Sequence, residues 1–109
     1  MTTEALSLRE HVVLLNVFQV KPGRAEALLV KLAQATEEAV SRCPGFISAR
    51  FHRSLDGTSV VNYAQWASVA HFEAMRADPV AQRHIAECAA LSEGFVPQLL
   101  QVVSVHTSG

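Results

Sequence analysis

The sequence predicts an α+β domain, a four-stranded antiparallel sheet with helices packed on one of its faces. Three observations lead there. Residues 11–20, 46–54, 58–66 and 96–106 are rich in β-branched, aromatic and other apolar residues and are short enough to be strands. The stretches after the first and the third of these carry apolar residues at three- and four-residue spacing, the mark of amphipathic helices. The resulting order, β-α-β-β-α(α)-β, is the split βαβ, ferredoxin-like arrangement. A chain of 109 residues suits a single domain. Residues 1–10 are polar and aperiodic and read as an N-terminal tail, leaving residues 11–106 as the domain.

The first strand, HVVLLNVFQV, places Val12, Leu14, Asn16, Phe18 and Val20 on one face and Val13, Leu15 and Val17 on the other. Lys21-Pro22-Gly23 breaks it, and Pro22 suits the first turn of a helix, where its missing N–H costs nothing. Ala25, Leu28, Leu29, Leu32, Ala35, Ala39, Val40 and Cys43 then form one apolar stripe, which Pro44-Gly45 stops. Leu55-Asp56-Gly57 is a hairpin signal between the second and third strands. Ser68 is an N-cap for a helix carrying Val69, Phe72 and Met75. Asp78-Pro79, an N-cap followed by proline, restarts a second helix bearing Val80, Ala81, Ile85, Cys88 and Leu91, and Gly94 ends it. A last strand contains QLLQVVSV.

Composition excludes several function classes. Half of the residues are hydrophobic and 17% charged, so the chain is not intrinsically disordered. A net charge of -1 argues against a binder of nucleic acid or of an anionic membrane surface. No apolar run reaches the ~20 residues of a membrane span. The first residues lack the basic and apolar regions of a signal peptide, so a cytoplasmic protein is expected. The two cysteines, Cys43 and Cys88, form no CxxC and no zinc-like spacing and are expected to be reduced, unremarkable helix residues. P-loop, GxGxxG, GxSxG and HExxH motifs are absent.

The apolar character of both faces of the first strand has a further consequence. Helices cover one face of such a sheet, and the other would remain a large exposed apolar patch. A second copy packed sheet to sheet is the simplest cover, so a homodimer is expected.

Polar residues inside apolar strands are the informative ones, because burying them unpaired costs about 1–3 kcal/mol each. Asn16 lies between Leu14 and Phe18 on one face, and Asn62 and Trp66 share a face of the third strand. The place of His52 depends on the hairpin. A three-residue loop, residues 55–57, puts His52 opposite Val60 and on the face of Asn62 and Trp66; a two-residue loop turns it to the other face. Taken together, a histidine, two asparagines and the single tryptophan suit a cavity that orients and stacks a flat ligand. Taken singly, each has a plain structural role as well: a strand asparagine bonded to backbone, a core tryptophan, a solvated edge histidine. His84 flanks the apolar side of the last helix. His71, Glu73 and Glu87 read as solvated helix positions, and His11 and His106 as strand ends.

With these residues identified, the run from Phe51 to Trp66 (FHRSLDGTSVVNYAQW), then Phe72-Glu73-Ala74-Met75 and Asp78-Pro79, resembles the antibiotic biosynthesis monooxygenase family. Lys21-Pro22-Gly23 and Pro44-Gly45-Phe46 resemble it as well, so that the likeness spans residues 11–106. The resemblance implies a dimeric α+β barrel with a pocket between sheet and helices in each subunit. It implies oxidation of a small aromatic or polycyclic phenol, quinol or anthrone by O2 to a quinone, with no flavin, haem or metal. It assigns Asn62 to hydrogen-bonding a substrate oxygen, Trp66 to stacking and an N–H contact to bound oxygen, and His52 to taking or relaying a proton. Asn16, Phe72 and His84 complete the expected substrate pocket. Phe72 departs from the pattern: an anthrone oxidase of the family has tyrosine there, which weighs against an anthrone substrate. Two other readings compete. A haem-degrading monooxygenase of the same fold would use Asn16, Trp66 and His84, the last as iron ligand. A non-catalytic dimer that binds a small molecule is the third.

Overall fold

The computed structural model describes residues 11–109; the expected tail, residues 1–10, lies outside the described residues. Four strands form one antiparallel sheet: β1 (Val12–Gln19), β2 (Phe46–Arg53), β3 (Ser59–Trp66) and β4 (Gly94–Gln101), in the order β2-β3-β1-β4. Three helices accompany it: α1 (Ala25–Glu38), α2 (Val69–Ala77) and α3 (Pro79–Ala90). This is the expected split βαβ topology.

Most boundaries follow from the residues that suggested them. Ser68 caps α2, its side chain accepting from the His71 N–H at 3.2 Å, and Asp78 caps α3, accepting from the Ala81 N–H at 2.9 Å with Pro79 at the first position. Gly45 sits at φ +86°, and a Cβ there would lie 2.2 Å from the His71 ring. Only glycine lets the turn into β2 pass beneath α2.

Five expectations need correction. Pro22 is not in the helix: Lys21 O accepts from the Arg24 N–H at 3.0 Å, and Gly23 has φ +82°, so Pro22-Gly23 forms the corner of a β-turn before α1. The first helix ends at Glu38, and a separate 3-10 turn over Val40–Arg42 carries the stripe on towards Cys43. Gly94 is the first residue of β4 and not a helix stop, and β4 ends at Gln101, short of His106. The β2–β3 hairpin closes through Ser54 N–H to Ser59 O at 2.9 Å, leaving a loop of neither two nor three residues but of residues 55–58.

The core has two parts. Phe18, Val20, Leu28, Leu32, Val60 and Cys88 pack together at one end, and Val12, Leu14, Trp66, Phe72, Met75 and Ala81 at the other. Along β1 and β3 the residues that separate them are Asn16 and Asn62, which are directly paired across the two strands. The polar pair therefore interrupts an otherwise continuous apolar layer between sheet and helices.

Candidate active site

A cavity of about 520 Å³ opens where the core divides. Its sheet side is built by alternation: Leu14, Asn16 and Phe18 from β1, Asn62, Ala64 and Trp66 from β3, and Phe95, Pro97 and Leu99 from the edge strand β4. Strand β2 contributes Phe46, Ala49 and Phe51. Phe46 and Phe51 are an odd number of residues apart and would face opposite ways on a regular strand. A bulge at Ile47 shifts the pairing so that Phe46 opposes Trp66, Ala49 opposes Ala64 and Phe51 opposes Asn62. The helical side comes from Leu32, Ala35 and Thr36 of α1, Phe72, Glu73, Met75 and Arg76 of α2, and Ile85 and Cys88 of α3.

The polar interior is small and specific. Asn16 Oδ1 and Asn62 Oδ1 are both buried and neither has a protein partner. Leaving a buried acceptor unpaired costs about 1–3 kcal/mol, a cost borne here twice at one place in the fold. Two adjacent primary amides offer a ligand both acceptors and donors, because half a turn of an amide exchanges its oxygen and nitrogen. Trp66 is 1% exposed and meets Phe46 edge-on, ring centres 5.4 Å apart, and Phe72 at 6.2 Å. These contacts fix the indole as one wall of the site. Burial pushes the Cys88 thiol up to about 11, so the cavity wall at α3 carries a neutral S–H at ordinary pH.

Asn16, Asn62, Trp66 and Phe72 are therefore brought together. His52 is not. The four-residue loop pairs His52 with Val61, so its side chain lies on the sheet face opposite Asn62 and Trp66, and Phe51 takes the expected place. The loop has this length because its side chains close it. Asp56 Oδ1 accepts from Ser54 Oγ and Thr58 Oγ1, each at 2.7 Å, and from the Thr58 N–H at 3.0 Å. The same bonds hold the Asp56 carboxyl down at about 2. His84 is also outside the cavity. It is half-buried between α1 and α3, with Nε2 3.9 Å from the Glu38 carboxylate. It is not among the residues that line the cavity beside Asn16 and Trp66. Among the described residues no group of three or more His, Cys, Asp or Glu is arranged to hold a metal ion. Among the same residues no helix is long and apolar enough to cross a membrane.

Sequence reasoning missed Phe46, Phe51 and Arg76. Phe46 was hidden by the bulge and Phe51 by the length of the hairpin loop. Arg76 was legible, since it lies one turn beyond Phe72 on the same helical face. Its guanidinium carbon stands 5.8 Å from the centre of the Phe72 ring.

Known proteins share this fold and family. The sequence profile of the family "antibiotic biosynthesis monooxygenase" matches residues 11–87. The tetracenomycin-F1 monooxygenase of Streptomyces glaucescens is 51% identical over 79 residues, which span 72% of this chain and 70% of that protein. The crystal structure of the monooxygenase from the gene ActVA-Orf6 of Streptomyces coelicolor, in complex with nanaomycin D, superposes with a TM-score of 0.85 at 28% identity. That match covers 98% of this chain and 100% of the other. A single-residue mutant of SnoaB of Streptomyces nogalater, a cofactor-independent oxygenase, superposes with a TM-score of 0.78 at 26% identity over 88% of this chain and 96% of its own. With the profile spanning most of the chain and a relative at this identity, the chain belongs to the antibiotic biosynthesis monooxygenase family of oxidoreductases.

Proposed function

We propose that the cavity binds a flat, polycyclic phenol or quinol and that O2 oxidises this substrate there to a quinone without a cofactor. The observation that carries the reading is the pair of unpartnered amide oxygens, Asn16 and Asn62, in the floor of an aromatic cavity of about 520 Å³. The relatives support the substrate class: one is a monooxygenase of tetracenomycin F1, and another holds nanaomycin D.

In this reading the ring lies against Trp66, Phe72 and Phe51, and its phenolic O–H donates to an asparagine oxygen. On loss of the proton the amide turns its NH2 to the oxygen and holds the delocalised anion by charge-assisted hydrogen bonds. The anion gives one electron to O2. The two radicals combine at a ring carbon that bears hydrogen, and the peroxide formed takes up the proton that the phenol lost; its O–O bond then breaks as the hydrogen on that carbon leaves as a proton. One oxygen atom remains as the new carbonyl and the other leaves as water; the substrate supplies all the electrons. The chain's own residues bind the ring, favour its ionised form and exclude bulk water. His52 has no part in the proton transfer, because it lies across the sheet.

The reading includes a homodimer. The sheet face away from the helices carries Leu15, Val17, Val61 and Tyr63, together with Val96 and Leu100, which are 62% and 39% exposed. Beyond β4, Val103 and Val105 are exposed as well. Sedimentation at micromolar concentration is expected to give the dimer mass; a stable monomer overturns this part. The catalytic reading is tested by incubating protein of assayed metal and flavin content with a dihydroxynaphthalene and anthrone panel, with and without O2. Quinone formation that needs O2 but neither metal nor flavin is expected. A rate no greater than the uncatalysed one on every compound rejects the reading.

A further inference from the structure

We propose that Arg76 selects, among aromatic substrates, those bearing an ionised oxygen substituent, a carboxylate or phenolate, at the mouth of the cavity. The inference rests on the reading of this cavity as the substrate site and adds to it the charge of the substrate. Among the described lining residues only Glu73 and Arg76 are charged, and both lie on α2. The Arg76 side chain is 60% exposed, so it stands where the cavity meets solvent. Its position is set from two sides. The Phe72 ring lies beneath the guanidinium at 5.8 Å, and that ring is itself fixed against Trp66. Glu73 Oε1 and Oε2 accept from Nη1 at 3.5 and 3.4 Å.

The ion pair is long, solvated and between neighbours on one helix turn, so it is weak and leaves the other N–H groups of the guanidinium for a ligand. A planar fork of donors above an aromatic wall matches a carboxylate or phenolate in the plane of a stacked ring. The neutral amides of Asn16 and Asn62 on the sheet side then meet the reacting oxygen, while the cation on the helix side meets the substituent. Glu73 opposes a second anion at the same mouth.

The test measures binding apart from turnover. Trp66 is the only tryptophan and lies in the cavity wall, so its fluorescence reports occupancy. Dihydroxynaphthoate and dihydroxynaphthalene are titrated under anaerobic conditions into the wild-type protein and into Arg76→Gln, Arg76→Lys and Glu73→Gln. The wild type is expected to prefer the acid by about tenfold to a hundredfold, the range of a hydrogen bond to a charged group. Arg76→Gln abolishes that preference, Arg76→Lys keeps only a minor part of it, and Glu73→Gln increases it. Added salt lowers it. A wild type without preference, or a preference that survives Arg76→Gln, overturns the role of Arg76. Failure of both compounds to quench Trp66 overturns the cavity reading along with it.

Discussion

Replacing Asn62 by leucine is expected to make the protein more stable and far less active. The amide oxygen of Asn62 is buried with no protein partner, an arrangement that costs about 1–3 kcal/mol. The lower end of that range gives an expected gain of about 1 kcal/mol. Leucine is close in size and has the cavity beside it, so overpacking does not cancel the gain. It would also join the two halves of the core, which now meet at Asn16 and Asn62. For a domain of this size 1 kcal/mol corresponds to a rise in Tm of about 4–8 °C. Removing a donor to a developing oxyanion costs about 10²–10³ in kcat. The two effects are read separately, by thermal melting followed by circular dichroism and by oxygen uptake on an accepted substrate. A lower Tm together with unimpaired turnover would falsify the claim that this asparagine is retained for chemistry at the expense of stability.

Four further outcomes are expected. His52→Ala, on the face turned away from the cavity, leaves kcat within about twofold and the pH–rate profile unshifted, against the 10²–10⁴-fold loss typical of a general acid–base group; a loss of that size would place the imidazole back in the reaction. Phe72→Tyr adds a hydroxyl to the ring between Trp66 and Arg76 and is expected to improve turnover of an anthrone relative to a dihydroxynaphthalene, measured as the ratio of kcat/KM values; a ratio that does not rise removes Phe72 from substrate choice. The Cys88 thiol is held neutral by burial, with its pKa raised to about 11, so iodoacetamide at pH 8 labels the more exposed Cys43 first. Because the folded value lies above the unfolded one, Cys88 contributes stability that is fully present below about pH 9 and lost as pH rises through about 11. Alkaline melts of Cys88→Ala should lack that fall, and an unchanged fall assigns it to another group.

Much of the fold was legible because local and global signals agree. The caps Ser68 and Asp78, the apolar stripe of α1 and the strands on either side of the hairpin each have one dominant physical cause. The paired asparagines were legible for a different reason: they break an apolar pattern, and sequences break such patterns where function requires it. What was not legible depended on register. An Asp-Gly pair suggests a short turn, whereas here Ser54, Asp56 and Thr58 bond one another and stabilise a four-residue loop. Those three hydrogen-bonding residues at alternate positions were the available signal. One residue of loop length moved His52 out of the site and Phe51 into it. The bulge at Ile47 left no trace beyond the odd spacing of two phenylalanines. Pro22 suits a helix start, but glycine at positive φ after it fits the second corner of a β-turn better.

The most direct test of the account is the fate of both atoms of O2 in a single turnover. Protein freed of metal and flavin is mixed with an accepted phenol under isotopically labelled O2, and quinone, water and peroxide are quantified. The account predicts one O2 consumed per quinone, one labelled oxygen in the new carbonyl, the other in water and no free hydrogen peroxide. Quinone whose added oxygen comes from solvent, with O2 recovered as hydrogen peroxide, would contradict it.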